Sequence, residues 1–141
     1  MRKGQQTLRI GAISGIEKPY DLNLGYFEKY PYVHDYSNLK SMYHFREFDL
    51  SKLRLIKGPV DIFVSHEWPT VATSRLQKHD RSLSALLKVK PYFKNEVNQG
   101  DLGSRNLSDV LDTLQPRYWF SAHLHCHFNA LVPTKDGVVE F

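Results

Sequence analysis

Two histidines one residue apart, His123 and His125, close the string Ser121-Ala122-His123-Leu124-His125. The apolar run Tyr118-Trp119-Phe120 leads into it, and a strand that ends in a loop can turn two imidazoles into one small volume. A third imidazole, His66, follows a second apolar run, Val60-Asp61-Ile62-Phe63-Val64-Ser65. Imidazole is the commonest metal ligand near neutral pH, because it is uncharged there and offers a lone pair. Ligands delivered from the ends of neighbouring strands are what an α/β metallohydrolase needs. His66, His123 and His125 are therefore the candidate metal ligands. A lone histidine is more often a surface or satisfied core residue, so the weight rests on the His-x-His pair and its context. Trp68 reads as packing the loop after His66 rather than stacking a base. His127 reads as a rim residue, with metal scavenging as the alternative. In an extended segment Cys126 points away from the histidines, so it reads as packing.

The elements that must position these side chains follow from periodicity. Residues 7–13 alternate as a strand, and Gly11 and Gly15 mark close backbone approach or an unusual dihedral at its edge. Residues 16–36 read as a long irregular loop holding six aromatics, Tyr20, Tyr26, Phe27, Tyr30, Tyr32 and Tyr36, with Pro19, Gly25 and Pro31 as breakers. Loops of that length are functional or disordered, and the rings argue against disorder. Exposed rings can stack on bases; equally, they can pin the loop to its own domain. Charge does not favour RNA there, since Lys18 and Lys29 are outnumbered by Glu17, Asp21, Glu28 and Asp35.

Further on, residues 38–43 read as a short helix and 46–48 as extended. Asp49 then caps a helix bearing Leu50, Leu53 and Ile56, which Gly58-Pro59 stops. The near-continuous apolar run 60–64 predicts a strand buried on both faces. The loop 65–69 lies at its C-terminal end, where open α/β sheets bind ligands. Residues 70–80 read as a solvated loop or, with Arg75, Lys78, His79, Asp80 and Arg81 clustered, as a phosphate-facing lid. Helices are expected at 82–87, at 91–97, and around Leu107, Val110, Leu111 and Leu114, the last capped by Asn106 and ended by Pro116. Residues 128–132 and 138–141 read as a hairpin.

Composition bounds the class. The chain has 141 residues, 41% hydrophobic and 24% charged, which is ordinary for one globular domain. A net charge of +4 is compatible with a polyanionic partner without demanding one. One cysteine excludes an intramolecular disulfide and fits a reducing compartment. No run is long and apolar enough for a membrane span, and no secretory signal core opens the chain.

Longer strings are more specific than these spacings. They are Arg9-Ile10-Gly11-Ala12-Ile13-Ser14-Gly15-Ile16, Gly25-Tyr26-Phe27-Glu28, Tyr43-His44-Phe45-Arg46, Ser65-His66-Glu67-Trp68-Pro69, Lys90-Pro91-Tyr92-Phe93, Leu102-Gly103-Ser104 and Tyr118-Trp119-Phe120-Ser121-Ala122-His123-Leu124-His125. In this order the sequence resembles the RNA lariat debranching enzymes, a branch of the calcineurin-like metallophosphoesterases. The resemblance implies an α/β fold, a partial metallophosphoesterase β-sandwich flanked by helices. It implies that residues 1–141 are the C-terminal part of that domain, with a lariat-recognition-like loop at about 17–46. It implies metal-dependent hydrolysis of the 2′-5′ phosphodiester of branched intron lariat RNA during mRNA processing, with Fe2+, Zn2+ or Mn2+ as cofactor and the nucleus, then the cytoplasm, as location. It assigns His66 and His123 to one metal position and His125 to the other, and it makes Tyr20, Tyr26, Phe27 and Tyr43 candidate substrate contacts. The sequence departs from the family in lacking its N-terminal half, with the Gly-Asp-x-x-Asp and Gly-Asn-His-Glu strings that supply the shared Asp, the Asn ligand and the phosphate-contacting His. A weak or inactive isolated chain is therefore expected, with a missing N-terminal half as partner. The alternative is a non-catalytic truncated paralogue that keeps residual RNA or metal binding.

Overall fold

The computed structural model describes residues 7–30 and 36–141. Tyr32, Pro31 and Asp35 of the aromatic segment lie outside the described residues. The elements run β1 (Ile10–Ile13), α1 (Pro19–Leu22), α2 (Tyr36–Ser41), α3 (Glu47–Arg54), β2 (Ile62–Ser65), α4 (Val71–Ser74), α5 (Arg81–Val89), a 3-10 turn (Pro91–Phe93), α6 (Lys94–Gln99), α7 (Arg105–Leu114), β3 (Tyr118–Ser121), β4 (Leu131–Pro133) and β5 (Val138–Glu140). The expected α/β class holds. The strands form one mixed five-stranded sheet in the order β1-β2-β3-β5-β4. The first three are parallel, β5 runs parallel to β3, and β4 and β5 are the antiparallel hairpin.

The core lies on one face of that sheet. Phe63 of β2 and Trp119 of β3 are fully buried side by side, with ring centroids 4.3 Å apart. Leu107, Val110, Leu111 and Leu114 of α7 turn one helical face onto this layer, beside Leu50 and Leu53 of α3. Burying each such side chain stabilises the fold by roughly 1.5–3 kcal/mol. The near-continuous apolar run of β2 is not buried on both faces as expected: Phe63 and Ser65 point into the core, while Val64 is 41% exposed. No described element covers the second face.

Local corrections have physical causes. The helix bearing Leu50 starts at Glu47, not after Asp49; Asp49 sits at its third position and accepts the Arg46 N–H at 3.0 Å, the carboxylate half of a capping box. Ser104, not Asn106, caps α7, through its hydroxyl to the Leu107 N–H at 3.0 Å. Residues 70–80 are not a solvated loop throughout, because α4 buries Val71, Ala72 and Thr73. Two members of the charged cluster are engaged within the fold. Arg75 is held bidentately by Asp112 at 2.7 and 2.5 Å and donates to the Pro133 carbonyl. Asp80 caps α5 through the N–H groups of Ser82 and Leu83.

The two glycines of the first strand edge behave as read. A Cβ on Gly11 would stand 2.8 Å from the Phe63 ring, and Gly15 has φ +93° with the Tyr43 carbonyl oxygen 2.2 Å from where its Cβ would be. That close approach accompanies the Ile16 to Tyr43 backbone hydrogen bond, which ties the start of the aromatic segment to its end. Gly15→Ala is expected to lower the urea-unfolding free energy by on the order of 2 kcal/mol or more, whereas Gly137→Ala, with open space around it, should change it by less than about 0.5 kcal/mol.

Candidate functional site

Strands β2 and β3 are parallel neighbours with Ser65 opposite Ser121, so both chains leave the sheet at the same height. The two hydroxyls are 2.8 Å apart, and the Trp119 indole N–H donates to Ser65 at 2.9 Å and to Ser121 at 3.1 Å. The Ser65 hydroxyl donates to the Glu67 carbonyl at 2.6 Å, which leaves the Ser121 hydroxyl to donate to Ser65 or to the same carbonyl at 3.3 Å. Beyond them the loops stay joined. The Ala122 N–H donates to the His66 carbonyl at 3.0 Å, and the Trp68 indole N–H donates to the Ala122 carbonyl at 2.8 Å. Trp68 is buried against Phe128 and Phe141, at 5.0 Å each, so it packs the loop as expected.

These fasteners bring His66 and His123 together. His66 Nε2 and His123 Nδ1 are 3.2 Å apart on the solvent side of the strand ends. Two nitrogens bound to one tetrahedral cation at about 2.0–2.1 Å would be roughly 3.3 Å apart, so this pair fits two ligands of a single ion. Burial, then the neighbouring His66, His125 and Lys18, hold the His123 imidazole below its ordinary value. That favours the neutral ring, the form with a free lone pair. His123 (φ +54°) and His125 (φ +49°) both occupy the left-handed backbone region, which is uncommon outside glycine. The segment is therefore bent, not extended, and the alternation argument for Cys126 does not apply. Cys126 nonetheless packs against the core, and His127 is exposed. The charge of His125 contributes to the lowering at His123, yet among the described residues no three His, Cys, Asp or Glu side chains converge as a metal site.

Glu67 connects this centre to the aromatic segment. Its carboxylate accepts the Glu17 N–H at 2.5 Å. Burial, assisted by the Glu17 carboxylate, pushes it up to about 7. The Glu17 carboxylate in turn accepts from the Ser104 hydroxyl and from Asn106 Nδ2, beside the first turn of α7.

The described residues of the aromatic segment are held in place by charged partners. Asp21, His44 and Arg46 are all buried. His44 Nδ1 donates to Asp21 at 2.6 Å, and Arg46 donates to Glu28 at 2.8 Å and to the His44 carbonyl at 3.3 Å. The Tyr26 and Phe27 rings lie 5.0 and 5.7 Å from the Arg46 guanidinium, and the Tyr26 hydroxyl donates to Asp49 at 2.6 Å. Tyr20 and Tyr43 meet His44 edge-on. All four candidate substrate contacts, Tyr20, Tyr26, Phe27 and Tyr43, keep exposed surface, as do Tyr30 and Tyr36. The sequence showed the acids without this role. Partners 18 and 23 residues apart leave no periodic trace, and only the strings Gly25-Tyr26-Phe27-Glu28 and Tyr43-His44-Phe45-Arg46 pointed there.

No protein-family model matches the chain. It is 46% identical over 125 residues to the lariat debranching enzyme of Schizosaccharomyces pombe, a match covering 89% of this chain and 26% of that protein. The Homo sapiens lariat debranching enzyme is also 46% identical over 125 residues, 89% of this chain and 22% of that protein. The Arabidopsis thaliana enzyme is 42% identical over 134 residues, 94% of this chain and 30% of that protein. The chain thus spans about a quarter of the length of the curated relatives it matches.

The buried charge network generates an acid-side expectation. Burial raises the Glu28 carboxyl, but the Ser41 hydroxyl, backbone N–H groups and Arg46 outweigh it and hold the group below its ordinary 4.5. Its stabilising contribution is therefore present above about pH 4.5 and lost as pH falls through the lower folded value. Urea unfolding between pH 6 and pH 3 should show stability falling on the acid side, with a shallower fall in Glu28→Gln. Arg46→Leu, which strands Glu28 and Asp21 without their guanidinium, should cost about 3–5 kcal/mol at pH 7.

Proposed function

We infer the function of this chain from its membership, by sequence, of the lariat debranching enzyme family, of whose members it spans about a quarter. The reading is metal-dependent hydrolysis of the 2′-5′ phosphodiester at the branch point of intron lariat RNA. Residues 1–141 form the C-terminal part of the catalytic metallophosphoesterase domain and 17–46 the segment that meets the RNA. The observation that supports it is the pairing of His66 and His123, 3.2 Å apart at the ends of adjacent parallel strands.

His66 and His123 would hold one divalent cation, Fe2+, Zn2+ or Mn2+, and His125 would serve a second position. A bound cation supplies charge stabilisation at the phosphate oxygens and a more acidic water. The chain's own residues do the rest. Ser65, Ser121, Trp68 and Trp119 fix the two ligand loops relative to each other. Glu67 fixes the aromatic segment beside them through the Glu17 N–H. The exposed rings of Tyr20, Tyr26, Phe27 and Tyr43 offer stacking surfaces for unpaired bases. The activity belongs to the nucleus, where lariats arise, and extends to the cytoplasm.

A second reading, a non-catalytic relative that keeps metal or RNA binding, is favoured by one observation: two imidazoles meet, but no third metal-binding side chain joins them among the described residues. Loss of a single preorganised oxyanion donor costs on the order of 10²–10³-fold in rate, and catalytic groups act as a unit. The chain alone is therefore expected to show no enzyme-like turnover of a branched 2′-5′ RNA with Mn2+, Fe2+ or Zn2+. Calorimetric titration with Zn2+ should nevertheless show one site, weakened at least tenfold by either His66→Ala or His123→Ala. Unchanged binding in both variants would remove the pair as the metal site. Robust turnover abolished by His123→Ala would show that this partial constellation suffices.

A further inference from the structure

The net positive charge of the chain resides in one stretch. Of its 19 cationic and 15 acidic side chains, residues 81–94 hold four of the first, Arg81, Lys88, Lys90 and Lys94, and none of the second, so the rest of the chain is neutral overall. Among the described residues none of these four enters an ion pair, whereas Arg46, Arg54 and Arg75 are each held by a carboxylate. Arg81, Lys88 and Lys94 are exposed, and Lys90 is half-buried. Tyr92, in the 3-10 turn between α5 and α6, is 65% exposed, and the Lys90 ammonium stands 5.8 Å from the centre of its ring.

Helix α5 borders the segment that follows the imidazole centre. At its start Asp80 and Ser82 line a cavity of about 640 Å³ together with Cys126, Phe128 and Asn129. At its end, burial pushes the Cys126 thiol up and the Lys90 ammonium opposes that rise. Cys126 directly follows His125, and residues 118–134 contain no Asp, Glu, Lys or Arg. The neighbouring acids are otherwise engaged or distant from the histidines. Asp80 is committed to the N–H groups of Ser82 and Leu83. Glu140 pairs with Tyr118, at the end of β3 away from the histidines. Glu96 of α6 closes the acid-free stretch. Cations without a carboxylate partner suit phosphates, which displace their counterions. A lysine beside an exposed ring serves a phosphate and an unpaired base together. We infer that Lys88, Lys90 and Lys94 follow the phosphates, and Tyr92 stacks on an unpaired base, of a single-stranded RNA arm that leaves the imidazole centre past Cys126. The assignment rests on the reading of branched RNA as substrate, and it adds to residues 17–46 a second surface that meets the RNA.

The test follows the fluorescence anisotropy of labelled branched 2′-5′ RNAs on the full chain, in EDTA so that no cleavage intervenes. One RNA carries long unpaired arms, and in the other the arms are trimmed to a single nucleotide. The long-armed RNA should bind about tenfold or more tightly, and Lys88→Gln/Lys90→Gln/Lys94→Gln should abolish that gain. The triple variant should also flatten the slope of log K against log salt by about 2, at about 0.7 per phosphate contact. Tyr92→Ala should weaken the long-armed RNA about fivefold or more at an unchanged salt slope, and Tyr92→Phe should restore it. Lys57→Gln/Arg105→Gln/Lys135→Gln, which removes three exposed cations elsewhere, should keep the gain. Circular dichroism melting checks that each variant folds, and Lys88→Gln/Lys94→Gln replaces the triple variant if that one unfolds. No gain from the long arms overturns the proposal. So does a gain that survives the triple variant, or one lost equally in the control. A linear RNA of the same sequence that matches the long-armed RNA, with the same losses in the variants, leaves the RNA path standing and counts against recognition of the branch instead.

Discussion

Two serine hydroxyls, 2.8 Å apart at the ends of adjacent parallel strands, carry the geometry of the candidate site. They meet because the register pairs Ser65 with Ser121. A slip of one residue would turn either hydroxyl to the other face of the sheet. Trp119, buried beneath them, donates its indole N–H to both. Each of these neutral hydrogen bonds contributes only about 0.5–1.5 kcal/mol net. The energy that holds the arrangement comes from the buried rings of Trp119 and Phe63. The hydroxyls decide instead where the two loops begin, and so where His66 and His123 stand.

The same division between energy and placement governs the aromatic segment. Its acids argue against RNA when counted along the chain, but three of them face inward. Glu17 accepts from Ser104 and Asn106, Asp21 from His44, and Glu28 from Arg46. A buried ion network is weak evidence for stability, since desolvation offsets most of the attraction. What it fixes is position. Arg46 sits under Tyr26 and Phe27, so a cation that balances two carboxylates also orients two rings whose edges and faces remain exposed. The inward acids leave the outer surface of the segment less negative than its composition suggests.

What was legible in the sequence follows from the range of the forces involved. The α7 face, the hairpin, the strand positions and the Gly11 and Gly15 contacts are signalled within a few residues, and all were readable. Of the three histidines read as candidate ligands, His66 and His123 meet, each at the end of an apolar run that forms a central parallel strand. The helix starts were off by a few residues. Asp49 and Asn106 are good caps by type, but the carboxylate of Asp49 works from the third position and Asn106 is taken by Glu17. Arg75 and Asp80 read as members of a solvated charged cluster until the fold supplied Asp112 to the one and the start of α5 to the other. The Asp21–His44 and Glu17–Glu67 contacts join residues 23 and 50 apart. No local pattern records them.

The backbone at His123 and His125 shows how the chain itself fixes the imidazole pair. A non-glycine residue in the left-handed region costs on the order of 1–2 kcal/mol, and two of them lie within three residues here. Such strain persists only where the surroundings over-determine the chain path. Ala122 supplies that constraint. Its N–H is held by the His66 carbonyl, and its carbonyl accepts from both the Trp68 indole and the Leu124 N–H. With both ends of that peptide unit tied, the chain enters His123 in one direction and must turn sharply. The turn brings Nδ1 of His123, rather than the more remote Nε2, to His66. A free loop would relax the strain and separate the rings; the bonds from the His66 and Trp68 loop prevent it. The placement of the two nitrogens is therefore a property of the strand ends and their indoles.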